Sequence, residues 1–164
     1  MSSKMGVVQK FVEQSEYFYT FLGTDAGTEE FNNRWKDIAS SNPQEFRNAQ
    51  HDYIKKTHYD VQMSDILRHH GFPVENKNAA LNDMVWSTSV QFGPQTKLII
   101  KAIKDLDMLS APAVDIICAV QDYKISNNSR LFSSSPDLQP GLLARAKEEK
   151  RRLLELEQTD NEIE

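Results

Sequence analysis

Apolar residues recur at intervals of three and four along almost the whole chain. Val7, Val8, Phe11 and Val12 are the first example, and their spacing places them on one face of a helix. The alternation of apolar and polar residues that is typical of strands is nearly missing. The pattern therefore predicts an all-α protein.

Capping residues and helix breakers divide this pattern into separate helices. Asn42 followed by Pro43 is typical of a helix start, and Gly93 followed by Pro94 is typical of a helix end. The same signals predict a short helix between Ser15 and Gly23, one after Thr28, one from Pro43 to about Tyr59, one from Asp60 or Ser64 to Gly71, and one over 78–92. They also predict helices over 96–107 and 112–126, a loop over 127–139 and a last helix from Pro140.

The length of 164 residues fits one domain with a buried core. Two Trp, five Tyr and eight Phe exclude a chain that is disordered throughout. We predict one helical domain over 1–154. The segment 155–164 is predicted to be a disordered tail because it is rich in acidic residues, namely Glu155, Glu157, Asp160, Glu162 and Glu164.

Charge and cysteine content exclude several classes of function. The net charge is −5, from 19 Lys and Arg against 24 Asp and Glu, which argues against a nucleic-acid-binding protein. The single cysteine, Cys118, lies in an apolar stretch and is predicted to be a buried, inert thiol. It offers no thiolate cluster for zinc, and neither a metal nor a cofactor is expected. The sequence shows no membrane span and no N-terminal signal peptide.

The segment 50–60 is dense in polar and aromatic side chains. His51 and His58 are seven residues apart on a predicted helix, so they project from nearly the same face. Their separation of about 10 Å along the axis is too long for both to hold one metal ion. With Gln50 and Tyr59 they suit a groove that hydrogen-bonds sugar hydroxyls while aromatic faces cover the ring. An ordinary helix surface with packed tyrosines explains the same pattern.

Polar side chains interrupt the most apolar predicted helix, 78–92. Asp83, Ser87 and Gln91 lie there among large apolar residues that include Trp86. Buried polar groups need hydrogen-bond partners, so these side chains either brace the core or line a cleft. The sequence leaves both interpretations open.

Signals for catalysis are weak. A glycosidase needs two carboxyl groups across a cleft, about 5–5.5 Å apart for retention or about 6.5–9.5 Å apart for inversion. The glutamates lie in polar stretches, so we expect them to be exposed and none stands out as a buried acid. The motifs of nucleophile elbows, phosphate-binding loops, zinc proteases and dinucleotide-binding folds are missing. The basic residues of the last helix are predicted to form a solvated face, namely Arg145, Lys147, Lys150, Arg151 and Arg152.

Five stretches, taken in order, resemble a known family. They are 1–11 (MSSKMGVVQKF), 31–36 (FNNRWK), 49–59 (AQHDYIKKTHY), 85–93 (VWSTSVQFG) and 117–124 (ICAVQDYK). They are similar to the peptidoglycan-hydrolase domain at the C-terminus of type VI secretion spike proteins of the valine-glycine-repeat type, a domain shared with phage endolysins. The resemblance covers essentially residues 1–152 and implies a lysozyme-like helical fold.

The resemblance implies a bacteriolytic function. The protein would be a muramidase-like glycoside hydrolase, made in the bacterial cytoplasm and acting in the periplasm or cell wall of a target cell. Its partners would be peptidoglycan glycan strands and either an immunity protein or a full-length enzyme. The candidate glycan contacts or braces are Gln50, His51, His58, Tyr59, Asp83, Trp86, Ser87 and Gln91.

The family's catalytic carboxylates match no residue of this sequence. In the family they lie before a Gly-rich stretch that would directly precede Met1, so the catalytic residues are unknown. We therefore expect this chain to be inactive or weakly active by itself. The alternative is a non-catalytic subunit, made from an internal start, that binds the cell wall or pairs with an enzyme.

Overall fold

The computed structural model describes residues 3–70 and 79–161, and their side chains over 5–70 and 79–159. Every regular element in these ranges is helical, which confirms the all-α prediction. The α-helices are α1 (Ser3–Gln14), α2 (Glu29–Ser41), α3 (Pro43–Ile54), α4 (Asp60–His70), α5 (Ala79–Phe92), α6 (Leu98–Ala102), α7 (Ala113–Ser126), α8 (Asn128–Leu131) and α9 (Gln139–Asn161). Short 3₁₀ turns cover Phe18–Phe21 and Pro136–Leu138, and a π-helical turn covers Lys55–Tyr59.

The chain divides into two compact units, residues 1–56 and 57–164. The sequence predicts one domain, so this division differs from the expectation. Its physical basis is that the described core residues form two clusters, one within each unit. The apolar spacing of a helix identifies an inward face, but it does not show which of two cores that face joins.

Aromatic rings fill the core of the first unit. Phe46 is 1% exposed, and its ring centroid lies 4.7 Å from Trp35, 5.0 Å from Tyr17 and 6.1 Å from Phe11. These ring pairs are tilted or edge-on, a geometry that stabilises beyond the burial of apolar area. Of these rings, Phe11 stands on the helix stripe predicted for the first helix.

Local signals set the helix ends of the first unit. Thr28 Oγ1 accepts a hydrogen bond from the Phe31 amide at 3.3 Å and so caps α2. Pro43 occupies the first turn of α3, as predicted. Gly27 has a φ of +95°, and a Cβ at this position would collide with the Met5 side chain. Glycine is therefore the residue that this turn accepts.

Aliphatic side chains fill the core of the second unit. α5, α7 and α9 pack against one another around its centre. Leu81 and Met84 of α5 and Ile116 and Ile117 of α7 are fully buried, and Leu153 of α9 is 2% exposed. The position of α5 follows from its sequence, because a helix that is apolar on several sides needs neighbours on each of them.

Three segments of the second unit differ from the predictions. α6 ends at Ala102 rather than near 107, and the predicted loop 127–139 contains α8 and a 3₁₀ turn. α9 continues to Asn161, so the tail predicted to be disordered from 155 is helical through that residue. The physical reason is that Leu156 and Glu157 continue the inward stripe of Leu153. The predicted helix end at Gly71 and helix start at Asn78 lie outside the described residues.

Candidate functional site

The candidate residue His58 lies in the π-helical turn of the chain. Turns of this kind are rare and occur often at functional sites. The His58 ring is half-buried, with Nδ1 2.8 Å from Thr57 Oγ1. Burial lowers the pKa of His58 from its usual 6.5, so the imidazole is neutral at neutral pH. A neutral imidazole offers one hydrogen-bond donor and one acceptor.

Tyr59 and Trp86 form an aromatic pair in the second unit. Their ring centroids are 5.6 Å apart and the ring planes are inclined by 35°. Tyr59 is buried, and its hydroxyl donates a hydrogen bond to Asn82 Oδ1 at 3.3 Å. Trp86 is half-buried on α5. The fixed tyrosine therefore supports an indole ring that keeps part of its surface accessible.

Asp83, Ser87 and Gln91 follow at intervals of four on α5, so they lie along one ridge of the helix. Ser87 donates a hydrogen bond to Glu149 of α9 and therefore braces two helices. Asp83 is exposed and Gln91 is half-buried, and neither side chain makes a hydrogen bond within the described ranges. Ser87 also lines a cavity between α5 and α9, so it both braces the core and lines a cleft.

Gln50 and His51 belong to the first unit, whereas the other six candidates belong to the second. Gln50 Nε2 donates a hydrogen bond to the Phe46 carbonyl at 3.0 Å, and its side chain lines a mostly apolar cavity of about 300 Å³ beside Trp35. His51 is exposed, with Nδ1 3.5 Å from Asp52 Oδ1. Gln50 therefore occupies a packing position and His51 a surface position.

A buried ion pair escaped the sequence analysis. Lys124 of α7 is 2% exposed, and its Nζ lies 3.3 Å from Oε2 of Glu149, which is 8% exposed. Burial lowers the pKa of Lys124, and the charge of Glu149 opposes this effect. Ser87, Lys124 and Glu149 therefore link α5, α7 and α9. The available signal was that Lys124 continues the inward stripe of Ile117 and Val120 on α7.

The expectation that no glutamate is buried is wrong. Glu149 and Glu157 are 8% and 5% exposed, and Asp65 is also buried. Asp65 lies 2.6 Å from Lys97 Nζ, just as Glu149 lies beside Lys124. Each cation comes from a distant part of the chain, so the polar surroundings of these acids in the sequence did not show that they are buried.

Three further properties bear on the class of site. Cys118 is half-buried rather than buried as predicted. Within the described residues, no group of three or more His, Cys, Asp or Glu side chains is arranged to hold a metal ion. In the same ranges, no helix is both long enough and apolar enough to cross a bilayer.

The fold and the candidate site define an all-α protein in which six of the eight candidate residues belong to the second unit. Residues 1–150 match the family of VgrG3-like C-terminal regions of type VI secretion system spike proteins. The chain belongs to this family, which confirms the type VI secretion part of the predicted resemblance.

A curated relative supports the same assignment. The chain is 51% identical over 157 residues to the type VI secretion system spike protein VgrG3 of Vibrio cholerae serotype O1 (strain ATCC 39315 / El Tor Inaba N16961). The match covers 96% of this chain and 15% of the relative's length. The activity and partners of a whole spike protein are therefore not transferred to this chain as findings.

Proposed function

We propose that this chain is an effector region of a type VI secretion spike and that it acts on the glycan of peptidoglycan. The observation that carries the proposal is the Tyr59–Trp86 pair, in which a buried tyrosine holds a half-buried indole 5.6 Å away. A sugar ring has an apolar face and a hydroxyl-bearing edge, so it suits an aromatic ring with polar neighbours. Membership of the spike family supports the secretion part of the proposal.

The proposed reaction is muramidase-like hydrolysis of a glycosidic bond. It passes through an oxocarbenium-like transition state, with one carboxyl group protonating the leaving oxygen and a second acting as base or nucleophile. In this proposal Trp86 covers the face of one sugar ring. Asp83 and Gln91 are eight residues apart on α5, about 12 Å along the axis, so they hydrogen-bond hydroxyls of different sugars of the strand. The neutral imidazole of His58 supplies a further donor or acceptor. These side chains bind and orient the strand.

Four of the described carboxylates are poor candidates for the general acid. Asp65 and Glu149 are each committed to a lysine, at 2.6 and 3.3 Å, in contacts that join different helices. Asp52 and Asp83 are exposed and lack the apolar enclosure that is typical of such an acid. We therefore expect weak or no hydrolysis from this chain by itself. The same observation favours a second candidate function, a non-catalytic subunit that binds the cell wall or pairs with an enzyme.

The proposal also includes a place of action and partners. The glycan substrate lies in the periplasm or cell wall of the target cell, so the spike has to deliver the protein there. A cell that makes such an effector needs an immunity protein to protect its own wall. In the second candidate function, a full-length enzyme is the partner.

Two measurements on purified peptidoglycan test the proposal. The first is co-sedimentation of the chain with insoluble peptidoglycan, and the second is release of soluble muropeptides, with the Vibrio cholerae spike protein measured beside it. The variant Trp86→Leu keeps an apolar side chain against Tyr59 but removes the indole face. The control Leu109→Ala changes an 80% exposed apolar residue of the same unit. We expect Trp86→Leu to weaken binding several-fold, at about 0.5–1.5 kcal/mol per aromatic contact, and the control to bind like wild type.

The two measurements separate the candidate functions. Binding without release supports the non-catalytic subunit, whereas release supports the hydrolase. Strong release by this chain would place the acid and base among Asp52, Asp60, Glu75 and Asp83, of which Glu75 lies outside the described residues. If the folded chain neither binds peptidoglycan nor releases products, both the hydrolase and the wall-binding subunit are overturned.

A further inference from the structure

An open cavity of about 480 Å³ lies between α5 and α9. Its lining residues are Ser87, Arg145, Glu148, Glu149 and Arg152. Every lining residue is polar or charged, and the aliphatic stems of these side chains also contribute to the lining surface.

The lining holds two glutamates and two arginines, and the two kinds of residue differ in their ion pairs. The two glutamates are already paired with Lys124 and Arg151, at 3.3 and 2.5 Å. Arg145 and Arg152, in contrast, make no ion pair and no side-chain hydrogen bond within the part of the chain that the structure describes. Two exposed guanidinium groups at this cavity therefore lack a direct ion pair among the described residues.

A second polar cavity, of about 520 Å³, shows what a compensated site looks like. Its lining residues are Val61, Asp65, Arg68, Gln95 and Lys97. The buried carboxylate of Asp65 lies 2.6 Å from Lys97 Nζ and 3.7 Å from Arg68 Nη1. Both cations there face an anion that the protein itself provides. Arg145 and Arg152 make no direct ion pair among the described residues, although the charge of Arg152, after the hydrogen bond from Arg151, helps to lower the pKa of Glu148.

Arg145 also acts on the buried ion pair behind the cavity. Burial is the main cause of the lowered pKa of Lys124, and the positive charge of Arg145 lowers it further. Two like charges repel more strongly in the protein interior than in water because the effective dielectric constant is lower. An anion bound at Arg145 would offset this repulsion.

The arrangement of the two arginines indicates the class of ligand. They are seven residues apart on α9, which places them on nearly one face about 10 Å apart along the axis. A guanidinium group binds a carboxylate through two parallel hydrogen bonds. We propose that this cavity binds carboxylates of the peptide stem of peptidoglycan. The preference for an anionic group follows from the two arginines, whereas the choice of a carboxylate of the peptide stem rests on the proposed function.

Isothermal titration calorimetry of the full chain with three soluble probes tests this proposal. The probes are a disaccharide–tetrapeptide muropeptide, the free tetrapeptide, and chitotetraose, which has sugar rings but no carboxylate. The test variant is Arg145→Gln with Arg152→Gln. The matched control is Lys101→Gln with Lys147→Gln, which removes the same charge from exposed residues that do not line the cavity.

We expect the test variant to bind the muropeptide and the tetrapeptide about tenfold or more weakly, as is typical of lost hydrogen bonds between charged groups. The control should change these affinities less than about twofold, and chitotetraose binding should be the same in both variants. Replacement of both arginines by lysine keeps the charge without the planar fork, so it should give an intermediate loss.

Two results would overturn the proposal. One is a wild-type chain that binds neither the muropeptide nor the tetrapeptide, and the other is a folded test variant with wild-type affinity for the tetrapeptide. Chitotetraose reports separately on the glycan proposal. If the wild-type chain binds the tetrapeptide through these arginines but does not bind chitotetraose, the carboxylate site stands and the glycan proposal fails.

Discussion

The two units of this chain build their cores from different chemistry. Among the described residues, the buried ones of the first unit are all aliphatic or aromatic, namely Phe11, Val12, Tyr17, Phe21, Ala26, Phe31, Ile38 and Phe46. The second unit buries nine polar or charged residues in its described part, including Lys124 and Glu149. The first core is thus filled mainly by aromatic rings, whereas the second contains ion pairs and hydrogen bonds.

This difference bears on our proposal that the second unit binds the ligand. A buried charge costs free energy unless it is paired, and an apolar pair of similar volume often serves stability equally well. Stability is therefore a weak explanation for the presence of the Lys124–Glu149 ion pair. The pair lies instead against the cavity that Arg145 and Arg152 line. Our hypothesis is that the second unit keeps buried charge because it shapes a polar binding surface.

The largest expected effect comes from breaking that ion pair. Lys124→Met leaves Glu149 buried without its cation, so we expect the free energy of unfolding of the second unit to fall by about 3–5 kcal/mol. Lys124→Met with Glu149→Met replaces the whole pair by apolar side chains and should recover most of this loss. Native-state hydrogen exchange measures the two units separately.

Lys104→Met, at an exposed lysine, is the control for this experiment. We expect it to change the free energy of unfolding by less than about 0.5 kcal/mol. A double variant that is as unstable as Lys124→Met alone would show that the pair itself stabilises the fold. The contrast between the two cores would then need another explanation.

The next effect tests the aromatic core. Phe46→Leu removes a ring that contacts Phe11, Tyr17 and Trp35, so we expect a loss of about 2 kcal/mol in the first unit. The chain has two tryptophans, and in a Trp86→Phe background the fluorescence of Trp35 reports on the first unit alone. Equal losses of hydrogen-exchange protection in both units would contradict the assignment of Phe46 to the first core.

The fold could be predicted from the sequence to the extent that it depends on neighbouring residues. Thr28, Pro43 and Gly93 act within a few positions of themselves, and the helix boundaries that they predict agree with the structure. The end of α9 was missed because it depends on packing. Glu157 is buried in the core, although the acidic composition of the segment from 155 suggests a solvated tail. The division into two units is likewise a property of contacts between helices.

The candidate site was less accessible to sequence reasoning. Spacing identified the polar ridge of α5 but left bracing and ligand contact open for Ser87. In the structure Ser87 bonds Glu149, which lies 62 positions further along the chain, and it also lines a cavity. Lys124 and Glu149 are 25 positions apart, and each alone resembles an ordinary surface charge. Residues that meet only through tertiary packing leave little trace in helical periodicity.

A smaller effect concerns how the first unit uses polar groups. Its capping contact lies at a helix end rather than in the core, with Thr28 Oγ1 accepting from the Phe31 amide. Thr28→Ala should therefore lower the free energy of unfolding by about 1 kcal/mol, and Thr28→Ser should keep most of it. Thermal unfolding of the two variants checks this. Equal destabilisation by alanine and serine would mean that the threonine methyl group, not the cap, stabilises α2.

The smallest expected effect is the pH dependence of the stability of the second unit. Burial lowers the pKa of His58 below the usual 6.5, so the unfolded chain takes up a proton before the folded one does. The stabilising contribution is present above pH 6.5 and is lost as the pH falls from there towards the folded-state pKa.

The measurement is the free energy of unfolding between about pH 7.5 and 5, in wild type and in His58→Gln, which keeps a polar side chain but does not titrate in this range. We expect wild type to lose more stability than the variant, with the loss confined to the second unit. Gln95→Ala, at an exposed residue without a titratable group, should follow wild type. Parallel curves for wild type and His58→Gln would show that the half-buried imidazole does not couple folding to pH, and its assignment as a neutral donor and acceptor for sugar hydroxyls would lose its support.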